Sequence, residues 1–219
     1  MRRARGFTLV EMLVALFAMA VLAMLSWRGL DGMVRAQQQT QARADEVLAL
    51  QTGLAQWRAD LDALVQLPQQ TALEWNGRVL RLTRQSGNSP SDGLLVVAWG
   101  RRVVDGSSRW LRWQSQPLTT RSALDAAWQQ ADLWSQNPGD VERRNEVAIT
   151  SLDDWQIFFF RGGNWTNPQS NASTTGGTLG GRLTQGRGVI PLPDGVRLVL
   201  TLPAGHAIAG ELRHDWSRL

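Results

Sequence analysis

The chain contains no cysteine. That excludes a disulfide scaffold and thiolate metal sites, and says little else about compartment. Tyrosine is also absent, against 11 tryptophans. We read the tryptophans as the aromatic share of a β-rich core and its edges. A surface that stacks nucleic acid or sugar is the sharper alternative. Histidine is scarce. His206 and His214, on strand-like segments, make a weak metal pair and are expected at the solvated surface. There is no Gly-x-Ser-x-Gly elbow and no P-loop. Gly162-Gly163, Gly176-Gly177 and Gly180-Gly181 do not join a strand to a helix, so they read as loop glycines and not as a phosphate cradle. Asp153-Asp154 fits a hairpin turn better than a carboxylate pair or calcium ligands. Asn137, Asp140, Glu142 and Asn145 hold enough oxygen for calcium but lack a recognisable loop pattern. These residues assemble no catalytic constellation, so we expect no enzyme, no metal and no cofactor.

Net charge is +4, but Arg2, Arg3 and Arg5 lie in a leader expected to be removed. The mature chain is then near neutral, and no basic stripe argues for nucleic acid. An apolar fraction of 43% does not suggest disorder.

What the chain does have is Arg5-Gly6-Phe7-Thr8-Leu9-Val10-Glu11. A basic leader ends at a glycine, and a long apolar run follows with one carboxylate near its start. Residues 7–25 approach the ~20 needed to span hydrocarbon. A charge inside a bilayer costs at least ~2.5 kcal/mol and points to function. Glu11 wants a cation, and attraction in a low dielectric far exceeds that in water. An unpaired Glu11 should therefore seek a partner. An ordinary secretory signal, cut after Ala18-Met19-Ala20, and a plain signal anchor are the competing readings. A carboxylate at position 11 is poor for a secretory signal, and the apolar run continues through Val21, Leu22, Met24 and Leu25. The basic flank keeps the N-terminus cytoplasmic, so all that follows the run lies across the membrane, the periplasm in a Gram-negative cell.

The leader resembles the prepilin signal of type IV pilins and type II secretion pseudopilins. The resemblance implies cleavage by a prepilin peptidase after Gly6 and N-methylation of the new terminus, Phe7. It also implies that Glu11 pairs with the N-terminal amine of a neighbouring subunit.

Helix-compatible sequence continues to residue 67, where Pro68 ends it. Such a helix would be on the order of 90 Å long. Its middle, Gln37-Gln38-Gln39-Thr40-Gln41-Ala42-Arg43, is polar all round. Beyond that, Val47, Leu50, Leu54, Trp57, Leu61 and Leu64 recur at steps of three and four. That stripe should dock a sheet, with Arg58, Asp60 and Asp62 facing away. Gly29 and Gly32 invite either a local bend or simple tolerance within the helix.

After Pro68 the pattern becomes short strands. Asn76-Gly77 signals a type I′ hairpin between residues 73–75 and 79–82. Further strands are expected at 94–99, 110–114, 146–152, 155–160, 196–202 and 209–214, with a turn at Gly106-Ser107-Ser108. Ser122 should cap a short helix through Leu124, Ala127, Ala131 and Leu133, broken at Asn137-Pro138-Gly139-Asp140. Residues 162–188 are rich in Gly, Asn, Ser and Thr and read as a mobile surface loop, with room for a short strand near Leu183. The fold class is α+β, a long N-terminal helix packed on a mostly antiparallel sheet. We divide the chain into a leader (1–6), a membrane-spanning half-helix (7–27), an amphipathic periplasmic half-helix (28–67) and a β-rich globular domain (68–219).

Several segments resemble GspJ-type minor pseudopilins of type II secretion. They are Trp27-Arg28-Gly29-Leu30-Asp31, the stretch from Leu50-Gln51 through Trp57-Arg58-Ala59-Asp60-Leu61, and Trp110-Leu111-Arg112-Trp113. The strands of residues 147–160 with Trp165, and Ile190-Pro191-Leu192-Pro193-Asp194-Gly195-Val196-Arg197-Leu198, complete the likeness. In the third segment tryptophan stands where that family usually has tyrosine. The resemblance implies a long helix with two sheets and a subunit of the pseudopilus tip. Its partners would be the I, K and H-type minor pseudopilins, the prepilin peptidase and the inner-membrane assembly platform. A PilW-like minor pilin is the alternative within the superfamily. A tip-binding module would need exposed aromatic and basic residues, for which Trp110, Arg112, Trp113 and Arg101-Arg102 are the candidates. Strand alternation puts Trp110 and Arg112 on one face.

Overall fold

The structure is a computed structural model that describes residues 8–68, 70–87, 89–169 and 191–218. It divides into two compact units, Met1–Asp45 and Glu46–Leu219. Helix α1 (Leu9–Asp62) contributes to both.

In the first unit the described residues from Leu9 onward are helix and solvent-exposed. Apolar side chains from Leu9 to Val34 have no protein around them, which is the state of a helix whose partners are lipid or other subunits. The helix runs unbroken through Gly29 and Gly32, where an added Cβ would meet nothing within 4 Å. Both are tolerated helical glycines in the single chain. Further on, Asp31 pairs with Arg35, and Gln41 donates to Asp45 (2.9 Å), each one turn apart.

The second unit is built on two antiparallel sheets. The first has five strands in sequential order: β1 (Leu73–Trp75), β2 (Val79–Gln85), β3 (Leu94–Val104), β4 (Ser107–Gln114) and β5 (Glu146–Ser151). The second comprises β6 (Asp154–Arg161), β7 (Asn164–Thr166), β8 (Gly195–Leu202) and β9 (Gly210–Ser217), ordered β7-β6-β8-β9. Helix α2 (Arg121–Gln136) and a short α3 (Asp140–Arg143) lie between β4 and β5.

Strand alternation gives the first sheet two buried faces. On one, Leu80, Leu82, Val97, Trp99 and Trp110 join Leu50, Trp57 and Leu61 of α1 and the inner face of the second sheet in a single core. On the other, Val79, Val96, Ala98, Leu111 and Trp113 pack against Leu124, Ala127, Ala131 and Trp134 of α2. Most tryptophans are core, as the composition suggested. The predicted stripe on α1 docks as expected: Leu50, Trp57 and Leu61 are buried, and Leu54 and Leu64 pack beside them.

Five expectations are corrected. Asp60 does not face away from the sheet; it is 0% exposed. Helix α1 stops at Asp62, ahead of Pro68, because Val65 N–H donates to Thr83 C=O (3.0 Å) and Gln85 N–H to Ala63 C=O (3.0 Å). Sheet bonds replace the last helical turn. The Asn76-Gly77 hairpin is not type I′, since only Gly77 has positive φ (90°). The residues with paired positive φ are Asp105 (50°) and Gly106 (76°), which join β3 to β4. Thr120, not Ser122, caps α2, its Oγ1 accepting from Ala123 N–H (3.3 Å), and Trp134 is buried where Leu133 is exposed. Finally, Asp153-Asp154 is no hairpin turn: the chain there passes from β5 in one sheet to β6 in the other. The glycine-rich segment forms strand β7 near its start, and residues 170–190, with Leu183, lie outside the described residues.

Candidate functional site

Gly6 and Phe7 lie outside the described residues. Glu11 is exposed in the first turn. Its Oε2 accepts from Thr8 N–H (2.9 Å) and Thr8 Oγ1–H (2.8 Å), while Glu11 N–H donates to Thr8 Oγ1 (3.3 Å). This is a reciprocal capping box, which satisfies orphan donors of the first turn. Among the described residues the Glu11 carboxylate therefore has hydrogen bonds but no cation within ion-pair distance. The Thr8-Leu9-Val10-Glu11 spacing carries the signature of that box in the sequence.

At the far end of α1, the buried Asp60 carboxylate is a second candidate. Gln56, one turn earlier, donates to Oδ1 (2.9 Å). Arg84 Nη1 of β2 donates to Oδ1 (2.7 Å), and Trp99 Nε1 of β3 donates to Oδ2 (2.9 Å). Arg112 of β4 grips both oxygens, Nε to Oδ2 and Nη2 to Oδ1, each at 2.8 Å. Side-chain exposure is 18% for Arg84 and 11% for Arg112, so the charges meet largely out of water. The hydrophobic period gave no hint of this cluster. The signal available was Asp60 beside the apolar stripe of a docking helix, with arginines inside strand patterns.

Of the residues proposed for a binding surface, Arg101 is exposed and Arg102 and Arg112 are half-buried, but neither tryptophan reaches the surface. Trp110 and Trp113 are 0% and 1% exposed, on opposite faces of β4. Trp110 and Arg112 do share the face toward α1, as alternation predicted. Trp57, Trp99 and Trp110 form a ring cluster with centroids 4.6–6.1 Å apart. Arg102 binds Glu146, which also accepts from Trp134 Nε1 (2.6 Å) and so ties α2 to the sheet. Arg101 donates to Asp153 C=O (2.8 Å).

His206 is exposed, with its Nδ1 3.3 Å from Glu46. His214 is half-buried, a departure from the expected surface position. Burial first, and the Arg58 charge second, push its imidazole below the ordinary value, against a smaller upward pull from Asp215. Glu142 caps α3, its Oε2 accepting from Gly139 N–H (2.9 Å). Among the described residues no group of three His, Asp or Glu side chains is placed to hold a metal ion.

Two family models match this chain. One, described as the prokaryotic N-terminal methylation motif, matches residues 1–27. The other, described as type II secretion system (T2SS), protein J, matches residues 28–210. No curated protein matches it.

Proposed function

The chain belongs to the type II secretion system protein J family, and from that premise we propose that it is a minor pseudopilin placed at the pseudopilus tip. In this reading it assembles there with the I, K and H-type minor pseudopilins on the inner-membrane platform. The tip supports export of folded proteins across the outer membrane. A prepilin peptidase cuts after Gly6, Phe7 becomes N-methylated, and α1 holds the subunit in the inner membrane with its C-terminal unit periplasmic. Glu11 then exchanges its capping bonds for the N-terminal amine of a neighbour, a cation that Thr8 cannot supply. The role is structural, in keeping with a pseudopilin family.

The observation that carries the reading is the exposed apolar start of α1, with one carboxylate in its first turn. Burial of Trp110 and Trp113 removes the aromatic candidates for a tip-binding surface. The test is the mature N-terminus, read by mass spectrometry on protein from its own host. The expected result is mono-methylated Phe7. A start just after Ala20, or an intact Met1, would overturn the reading. Because the chain has no lysine, an amine-specific label reports on the α-amine alone.

A further inference from the structure

Two stretches singled out by their pattern, one around Asp60 and one around Arg112, meet at a single side chain. Asp60 is the only fully buried carboxylate among the described residues. It accepts five hydrogen bonds, four of them from β2, β3 and β4. One side chain of α1 is thus bonded to three adjacent strands. The apolar part of the same interface is of a different kind. Leu50, Trp57 and Leu61 supply contact area, and hydrophobic attraction has no direction. A guanidinium that grips both carboxylate oxygens fixes plane, distance and angle together. Buried ionic clusters are weak sources of stability, and their best-attested use is to set register.

We propose that Asp60 is the positioning residue of this subunit. It locks residues 46–62 of α1 in one register on the five-stranded sheet. Neighbouring pseudopilins that touch the helix and the sheets then meet one rigid body. The inference rests on the assembly role proposed above for its purpose, but not for its geometry.

The absence of cysteine makes the test clean, because introduced thiols are the only ones. A Cβ at Gly53 would overlap Ile149 Cγ2, so cysteines at 53 and 149 place their Cβ atoms within the ~4 Å that a disulfide spans. The full chain carrying Gly53→Cys and Ile149→Cys is oxidised in detergent, and amide hydrogen exchange is followed in parallel on the full chain without these changes. With Asp60 present, the 53–149 crosslink should form readily. Asp60→Asn leaves two arginines facing each other without a counter-charge. We expect its crosslinking rate to fall at least ~10-fold. Exchange should rise across residues 46–62 while β3 and β8 stay protected. Asp60→Glu should recover part of the crosslink. Uniform loss of protection in helix and sheets would mean general destabilisation, and an unchanged rate would mean no lock; either overturns the proposal.

A second variant replaces Asp60, Arg84 and Arg112 together by methionine and Trp99 by phenylalanine, which leaves neither an orphaned charge nor the indole donor that Asp60 accepts. It should keep its urea midpoint yet crosslink poorly at 53–149 and fail to support export. Parental crosslinking by this variant would assign the register to apolar packing alone. The crosslinking and exchange readouts need no N-terminal processing. A start just after Ala20, or an intact Met1, would therefore sink the assembly role and leave the docking result to be judged by itself.

Discussion

Gly53 stands where α1 lies tight against the sheet. An added Cβ would overlap Ile149 and lie 3.2 Å from Trp110 Cζ3. Alanine favours helix over glycine by ~1 kcal/mol, but overpacking a core costs about 1–3 kcal/mol. Gly53→Ala should therefore be neutral to destabilising by ~2 kcal/mol, and Gly53→Leu markedly worse, by urea denaturation. Two substitutions test the processing proposal at this scale. Gly6→Ala should block maturation, and normal cleavage would count against the peptidase assignment. Glu11→Ala loses a cap, worth at most ~1 kcal/mol at an exposed helix end. It should still be processed, while export falls because the neighbour's amine has no counter-ion. Full export would make the carboxylate dispensable. His214 sets a pH dependence. Its folded value is depressed, so as pH falls the unfolded chain takes up the proton first. Its contribution is whole above the ordinary histidine value of ~6.5 and declines as pH falls toward the folded value. The urea midpoint should drop between pH 7.5 and 5, and His214→Gln should flatten that drop. A parallel decline in the variant would place the effect elsewhere.

At the scale of elements, patterns that depend on neighbours in sequence were legible, and those that depend on distant partners were not. The stripe through Leu50, Trp57 and Leu61 predicts a docking face because a helix repeats every 3.6 residues. The same rule sorts Asp60 outward, since periodicity knows nothing of Arg84 and Arg112 arriving from β2 and β4. The end of α1 was misplaced for a related reason. Pro68 is a local stop, but the bonds from Val65 to Thr83 and from Gln85 to Ala63 are tertiary and win earlier. Among the Asn-Gly and Asp-Gly pairs, Asn76-Gly77 has the composition of a type I′ turn between strands. Asp105 and Gly106 hold the paired positive φ values instead. A side chain forced into the left-handed region costs about 1–2 kcal/mol. Gly106→Val should lower stability by that amount, while Asp105→Asn should be neutral or slightly stabilising because type I′ turns favour Asn. Equal losses for both would show that the turn is not under this constraint. At the N-terminus the methylation motif of residues 1–27 was legible because such motifs are read as linear sequence. The bonds from Thr8 needed the geometry.

At the scale of the whole molecule, the composition of the surfaces predicts how the chain can be divided. Every apolar segment long enough to cross a membrane lies in α1, among the described residues. A fragment starting at Thr40 discards that segment and keeps every member of both cores. It should be soluble without detergent, unfold cooperatively, and show a near-UV signal from the Trp57, Trp99 and Trp110 cluster. Insolubility would contradict a single membrane anchor. A fragment starting at Pro68 removes in addition the tail of α1 and residues 63–67, which bond to β2, and should behave very differently. It uncovers Trp99 and Trp110 and strips Arg84 and Arg112 of their carboxylate. An unpaired buried charge alone costs about 3–5 kcal/mol, comparable to the total stability of many domains. The shorter fragment should lose its near-UV signal and bind hydrophobic dyes. If it folds as stably as the longer one, the sheets are self-sufficient and α1 is merely attached to them. If it fails, the end of α1 is part of the core of the second unit, and the sheets depend on it to fold.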